Sequence, residues 1–226
     1  MRLVILLIEN NQLMRANQFE LKLLRMCEEF FNAHSYKLIL EKKQFRRITV
    51  AGFHSIIFNA NAIANEWWIE VHLGVRSQLI EELAQQFLEL PLDYRSEATT
   101  WITSIGKLSG EPYFRYKVKT ENDLKEMVQS VQDFMLQKGF PFIAKHTHVS
   151  SISQLLNDFP TKNCPYIYNQ IHRCFKGLIA AHYTHKELNL PYLEDTYRAF
   201  IIKNGLPKDQ LAFEKLCSFL PVYQLN

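Results

Sequence analysis

The amino-acid sequence predicts an α+β fold, in which an antiparallel sheet of about five strands carries helices on one face and precedes a helical C-terminal portion. Apolar and polar residues alternate in residues 67–76 (WWIEVHLGVR), as is typical of a half-buried strand. Apolar residues recur at three-four spacing in residues 17–33 and 120–138, which indicates amphipathic helices. After residue 148 only helical patterns remain. We therefore expect an α+β sheet domain over residues 1–148 and a helical portion over residues 149–226 packed on it.

The strand predictions rest on β-rich segments that are separated by turn residues. Ala51-Gly52 permits a tight reversal between the first two segments, and Gly110 with Pro112 marks a turn between the last two. The first segment is basic, which is typical of an edge strand protected from aggregation. The five segments are YKLILEKKQFRRITV, FHSIIFNANAI, WWIEVHLGVR, TTWITSI and YFRYKVK.

The helix predictions rest on apolar stripes and on capping residues. Ser77 can cap a helix that Pro91 limits. Thr120 and Asp123 form a capping box for a further helix, which we expect Gly139 to stop. Beyond residue 148, prolines lie where first helical turns are predicted, a position that proline favours. They are Pro165, Pro191 and Pro207.

The two faces of residues 67–76 differ in chemistry. One face, which we predict to be buried, consists of Trp67, Ile69, Val71, Leu73 and Val75. The opposite face is expected to form a mixed surface with the polar face of YFRYKVK, because antiparallel sheets often leave one face solvated. The candidate binding residues on this surface are Trp68, Glu70, His72, Arg76, Arg115 and Lys117.

This mixed surface has two interpretations. In the first, it is a solvated sheet face, and a loop or the C-terminal helices cover Trp68. In the second, it is a recognition surface, because Trp and Arg are enriched at binding hot spots. Glu70 and His72 could hydrogen-bond to each other, but such a pair is common and does not indicate catalysis.

The composition indicates a folded protein with a packed core. Of its 226 residues, 47% are hydrophobic and 22% are charged, which argues against both a disordered and a membrane-embedded chain. The net charge of +3 is small for a dedicated nucleic-acid binder, so we expect no nucleic-acid partner. The four cysteines form no C-x-x-C pair, which favours free thiols and a cytoplasmic location.

The first eleven residues, MRLVILLIENN, have an apolar run that could be mistaken for a signal peptide. The run is shorter than a secretory core, and no small-residue cleavage site follows it. No other segment approaches the length of a membrane span, so we expect no membrane partner. We expect a short strand at this end, or an upstream extension with the true start at Met14.

The sequence lacks the common catalytic and cofactor-binding motifs. It contains no G-x-G-x-x-G or Walker loop, no G-x-S-x-G elbow and no H-E-x-x-H helix, so we assign no catalytic residue and expect no cofactor. The Cys and His residues also lack a recognised zinc spacing, and no bound metal is expected. The residues considered as ligands are His146, His148, Cys164, His172, Cys174, His182 and His185.

The order of elements over residues 17–145 resembles that of a loose group of uncharacterised bacterial α+β proteins. The resemblance rests on WIEVHLGVR, whose Gly-Val precedes a short helix, on TTWITSIGKL, and on the long helix that ends near PF. Some proteins of similar architecture are suspected immunity or toxin-neighbourhood proteins. The resemblance therefore implies a binding role and carries no catalytic residues with it.

We accordingly expect a cytoplasmic protein-binding module, immunity-like in role, that contacts another protein through the mixed sheet surface. The alternative is a small-ligand binder or an enzyme with a pocket between the sheet and the C-terminal helices. A shallow, open sheet face would favour the first function, and a deep cleft with converging polar side chains would favour the second. The residues that could contribute to such a pocket are Tyr166, Tyr168, His172 and His182.

Overall fold

The computed structural model describes residues 2–184 and 189–223, and the side chains of residues 18–184 and 189–223. The strands are β1 (Lys37–Ile39), β2 (Gln44–Thr49), β3 (Gly52–Ile63), β4 (Glu66–Ser77), β5 (Trp101–Ser104) and β6 (Tyr116–Val118). They form an antiparallel sheet in the order β1-β2-β3-β4-β5, and β6 pairs with β4. The predicted α+β class and antiparallel sheet are confirmed.

The helices precede, connect and follow these strands. They are α1 (Arg2–Ala33), α2 (Gln78–Ala84), α3 (Leu92–Arg95), α4 (Ile105–Leu108), α5 (Glu121–Phe134), α6 (Phe140–Lys145), α7 (Val149–Asn157), α8 (Gln170–Thr184), α9 (Leu190–Asn204) and α10 (Pro207–Phe219). The described residues after 148 contain helices and no strand, as predicted. None of the described helices combines the length and the apolar character that a membrane crossing requires.

The chain divides into two compact units. Unit 1 comprises Met1–Ile48, His54–Leu73 and Ser104–Pro141; unit 2 comprises Thr49–Phe53, Gly74–Thr103 and Phe142–Asn226. The long strands β3 and β4 contribute residues to each unit. Unit 2 therefore combines the C-terminal helices with residues on the N-terminal side of 148, and the predicted domain boundary at 148 remains a prediction.

The core of unit 1 contains a cluster of aromatic rings on one face of the sheet. Phe31 of α1 is fully buried, and its ring lies 4.5 Å from that of Phe45 and 6.1 Å from that of Phe58. Rings at these separations pack edge to face or tilted, which suits their quadrupoles. The apolar stripe of α1 therefore packs against large side chains from β2 and β3.

The predicted buried face of β4 is confirmed at three of its first four positions. Ile69, Val71 and Leu73 have exposures of 0%, 2% and 0%. Trp67 is half-buried, and its ring stacks on that of Phe19 at 4.3 Å. Helix α1 therefore covers the start of this face, and the large indole of Trp67 remains partly accessible where β4 begins.

The predicted short strand near the N-terminus is wrong, because α1 extends from Arg2 to Ala33. No glycine or proline occurs between these residues, so nothing in the chain interrupts the helix that the apolar stripe predicts from residue 17. The predicted upstream extension before Met14 stays a prediction.

Gly139 does not stop the helix that Thr120 begins. The capping box of Thr120 and Asp123 is present, but α5 continues through a π-helical turn, Met135–Gly139, into α6. A Cβ on Gly139 would lie 2.5 Å from the Met135 sulfur and 3.6 Å from Leu73 Cδ1. The glycine is therefore packed tightly against the side chain of Met135 in the same continuous helix, and it is not a C-cap.

Gly52 makes possible the predicted reversal before β3. Its φ is +142°, a conformation that L side chains rarely adopt, and a Cβ would lie 2.1 Å from the Arg76 carbonyl oxygen. The adjacent Ala51 carbonyl accepts a 2.7 Å hydrogen bond from the Gln78 backbone N–H. The turn is therefore held against the end of β4.

A buried ion pair joins two helices of unit 2. Lys176 Nζ of α8 lies 2.8 Å from Glu81 Oε1 of α2, and the side chains are 4% and 0% exposed. Lys176 also donates a 2.7 Å hydrogen bond to the Thr99 carbonyl. Removal of either charge would leave the other buried and uncompensated. Replacement of one partner alone should therefore destabilise the fold strongly.

We expect Lys176→Met to lower the free energy of unfolding by about 3–5 kcal/mol, because it leaves the Glu81 carboxylate buried without an opposite charge. Adding Glu81→Leu should recover much of this loss, since two apolar side chains of similar volume can replace a buried pair. Urea denaturation of the single and double variants measures both effects. The solvent-exposed Lys208–Glu89 pair is the control, and Lys208→Met should lower the free energy of unfolding far less than Lys176→Met does. A double variant as unstable as Lys176→Met would contradict this role for the pair.

We also expect acid destabilisation through His54, which is 6% exposed. Burial, with a smaller contribution from the charge of Arg47, lowers the pKa of His54 from 6.5 to about 4. The folded chain thus favours neutral imidazole, and the resulting stability is complete above pH 6.5 and is lost as pH falls toward 4.

His54→Gln should therefore flatten the pH dependence of the unfolding free energy in this window by up to about 1.4 kcal/mol per pH unit. Denaturation series between these pH values measure the slope. His148→Gln, at an exposed position, is the matched control. An unchanged slope in His54→Gln would show that this imidazole does not couple folding to protons.

Candidate functional site

The pairing of β4 with β6 brings most of the predicted binding residues together. Trp68 lies opposite Lys117 in an antiparallel register. Because side chains alternate along a strand, the residues two positions away on each strand lie on the same side of the sheet. We call this surface the β4–β6 face; its residues are Glu66, Trp68, Glu70, Arg115, Lys117 and Lys119. The expectation that both polar faces share one side is confirmed.

Three contacts cross the β4–β6 face. Lys119 Nζ lies 3.1 Å from a Glu66 carboxylate oxygen, and Arg115 Nε lies 3.9 Å from one of Glu70. Between them, Lys117 Nζ lies 4.8 Å from the centroid of a Trp68 ring, a cation–π geometry. Each β4 residue of the face thus meets a cation of the neighbouring segment.

Trp68 is anchored along its own strand as well. Its indole N–H donates a 2.6 Å hydrogen bond to Glu66 Oε1. This bond, followed by the interaction with Lys119, holds the pKa of Glu66 below its ordinary value. Glu66 is therefore ionised at neutral pH and fixes the indole in one orientation, with Lys117 over the ring.

The cations are the more accessible partners on this face. The side chains of Lys119 and Arg115 are 65% and 43% exposed, whereas those of Glu70 and Glu66 are 24% and 18% exposed. Lys117 is also exposed, and Trp68 is half-buried. The face consequently presents a basic outer row on β6 and its flanks, above acids that lie closer to the sheet.

His72 and Arg76 do not belong to the exposed part of the surface, although both were predicted to bind. His72 is 7% exposed, and its Nδ1 lies 3.3 Å from Asn59 Nδ2. Burial lowers the pKa of His72, and the negative charge of nearby Glu70 offsets part of this decrease. The imidazole of His72 is therefore neutral and lies buried next to the β4–β6 face.

Arg76 has a structural role in unit 2. It is 6% exposed and donates hydrogen bonds of 2.9 and 2.8 Å to the carbonyls of Arg95 and Ala98. Arg76 thereby holds the segment that follows α3. Strand alternation predicted its side of the sheet but could not predict that this segment covers it.

Two residues of the face were not among the predicted binding residues. Glu66 lies one residue before the alternating segment WWIEVHLGVR, so that segment does not include it. Lys119 ends the segment YFRYKVK on its polar face and is not one of the predicted binding residues. Extension of the alternation by one residue at the start of β4 and past the end of β6 would have identified both.

The four residues of the alternative pocket do not converge. Tyr166 lines a cleft of about 540 Å³ in unit 2, whereas His172 lines a separate cavity of about 160 Å³. Tyr168 is 51% exposed, and His182 is half-buried. Tyr166 and His172 therefore do not line one shared cavity.

Within residues 18–184 and 189–223, no group of three or more His, Cys, Asp or Glu residues is placed to hold a metal ion. His185, one of the residues considered from sequence, lies outside the described residues. The expected absence of a bound metal stays a prediction.

We expect Trp68→Ala to lower the free energy of unfolding by about 1 kcal/mol, because it removes one hydrogen bond and one cation–π contact at a half-buried position. Leu73→Ala, at a fully buried position of the same strand, should cost about 2–5 kcal/mol through cavity formation. Urea denaturation of both variants provides the comparison. Equal losses would identify Trp68 as a core residue and would remove the basis for a recognition surface.

Comparison of the chain with protein-family models, with curated proteins and with solved structures finds no match. The resemblance to a loose group of bacterial α+β proteins, and the immunity-like role that it implies, therefore stay predictions.

Proposed function

We propose that this chain is a cytoplasmic protein-binding module whose β4–β6 face binds an acidic, extended segment of another protein. The observation that carries the proposal is the exposed basic row formed by Arg115, Lys117 and Lys119. Its cations project more than the acids beneath them, so an approaching segment meets positive charge first.

The position of β6 supports an extended partner. In the described sheet β6 pairs with β4 alone, so its other backbone edge has no strand neighbour there. An added strand can hydrogen-bond to such an edge while its side chains alternate between two faces. Acidic side chains on one of those faces would lie beside the basic row.

Trp68 supplies the apolar part of the proposed contact. Its indole is held by Glu66 and by Lys117 in a single orientation, so little rotamer freedom would be lost on binding. Aromatic side chains that are positioned in advance are typical hot-spot residues. We propose that an apolar side chain of the partner packs against its accessible edge.

The cysteines support the proposed cytoplasmic location. All four are buried free thiols: Cys27, Cys164, Cys174 and Cys217. A chain without disulfides suits a reducing compartment. An immunity-like role, in which the face covers an antagonist protein, is the form of this proposal that the predicted resemblance implies.

The proposal is tested with two labelled eight-residue peptides, one alternating Glu and Val and the other alternating Lys and Val. Fluorescence anisotropy should show binding of the acidic peptide alone, with affinity that falls as salt rises because the contact is ionic. Trp68→Ala should weaken this binding by about 2 kcal/mol, and Lys117→Glu should mainly slow association.

Lys138→Glu is the matched control, because it reverses an exposed charge outside the β4–β6 face. It should leave the affinity for the acidic peptide unchanged. Equal binding of the two peptides, or equal loss in Lys138→Glu and Lys117→Glu, would contradict recognition by this face.

A further inference from the structure

The cleft of about 540 Å³ in unit 2 contains a buried cation in its wall. Arg173 of α8 is 3% exposed and lines this cleft. Its guanidinium donates hydrogen bonds to the backbone carbonyls of Leu156, Phe159 and Lys162. These bonds fix the group in position, as expected for a side chain that holds the segment after α7.

Those carbonyls accept only some of the hydrogen bonds that the guanidinium can donate. Arginine has five N–H donors, and three of them are used in these bonds. Within the described side chains, no carboxylate lies within ion-pair distance of Arg173. The guanidinium also lies 5.6 Å from the centroid of the Tyr197 ring, which together with the carbonyls offsets part of the cost of its burial. An anion in the cleft would supply the counter-charge that these neutral groups do not.

A second cation lines the same cleft. Lys145, at the end of α6, is exposed and forms no ion pair with the described side chains. Asp158 is the acid among the lining residues, so the two cations leave a net positive charge. The combination of a fixed guanidinium and a solvent-exposed ammonium is well suited to a carboxylate or phosphate group.

The remaining wall is aromatic. Phe142 and Tyr166 line the cleft with their ring centroids 5.3 Å apart, and His146 lies 4.6 Å from Phe142. Phe159, also part of the lining, is 61% exposed. Burial lowers the pKa of His146, which keeps this imidazole neutral, and raises that of Tyr166, which keeps its phenol a hydrogen-bond donor.

We propose that this cleft binds a small aromatic anion, with one acidic group at Arg173 and Lys145 and a flat ring against Phe142, Tyr166 and Phe159. The volume lies in the range of small-molecule sites. The aromatic wall would bind any flat ring, whereas the cations discriminate between anionic and neutral ligands. This site is independent of the proposed protein-binding face.

Two matched ligand pairs test the proposal by isothermal titration calorimetry. Indole-3-acetate is compared with neutral indole-3-ethanol, and adenosine monophosphate with adenosine. The wild-type chain should bind at least one anion at least tenfold more tightly than its neutral counterpart. Inorganic phosphate, which has no ring, should bind at least tenfold more weakly than that anion. The first pair represents carboxylates and the second represents phosphates, so the pattern also distinguishes the two sources of charge.

The variants assign the binding to the cleft without disturbing the bonds of Arg173. Lys145→Glu and Phe159→Ala change exposed side chains and should each weaken the bound anion at least tenfold. Lys203→Glu, at an exposed position outside the cleft lining, should leave it unchanged. Binding of neither anion, equal binding of an anion and its neutral counterpart, or binding insensitive to both cleft variants would overturn the proposal.

Discussion

The register of β6 on β4 is the constraint from which the candidate face follows. Ile69 and Val118 are buried on the core side of the pairing, at 0% and 2% exposure. A shift of one residue would move such apolar side chains into solvent and the charged ones into the core. Core burial therefore determines the register, and the register places Trp68 beneath Lys117.

The same pairing explains why the face carries both signs of charge. Cross-strand partners of opposite charge stabilise a sheet modestly, by about 0.2–1 kcal/mol for each pair. The first interpretation of this surface, a solvated face with internal ion pairs, accounts for that stabilisation. The longer Lys and Arg side chains place the cations outside the acids, and this order of exposure determines which charge an approaching molecule meets first. That order is the feature on which a recognition role depends.

Buried cations have a different role in unit 2. Arg76 and Arg173 each donate to backbone carbonyls, and Lys176 does so at Thr99. These carbonyls belong to irregular segments and helix ends, where the backbone has no regular partner and needs another donor. Charge on the β4–β6 face is screened by solvent, whereas charge in the cleft wall acts in a less polar medium. In the two proposals, the face would therefore act mainly on the rate of association, and the cleft would act mainly in discrimination between charged and neutral ligands.

The sequence by itself determined the α+β class, the side of β4 that is buried and the start of α5 at Thr120, because these depend on local periodicity and capping. Only the tertiary structure decided that Gly139 lies within a continuous helix, that Arg76 is covered and that Tyr166 and His172 line separate cavities. Arg76 donates hydrogen bonds to carbonyls 19 and 22 residues away, which no local pattern in the sequence could indicate. Alternation reports which side a residue faces, but the depth of burial depends on what the rest of the chain places over it.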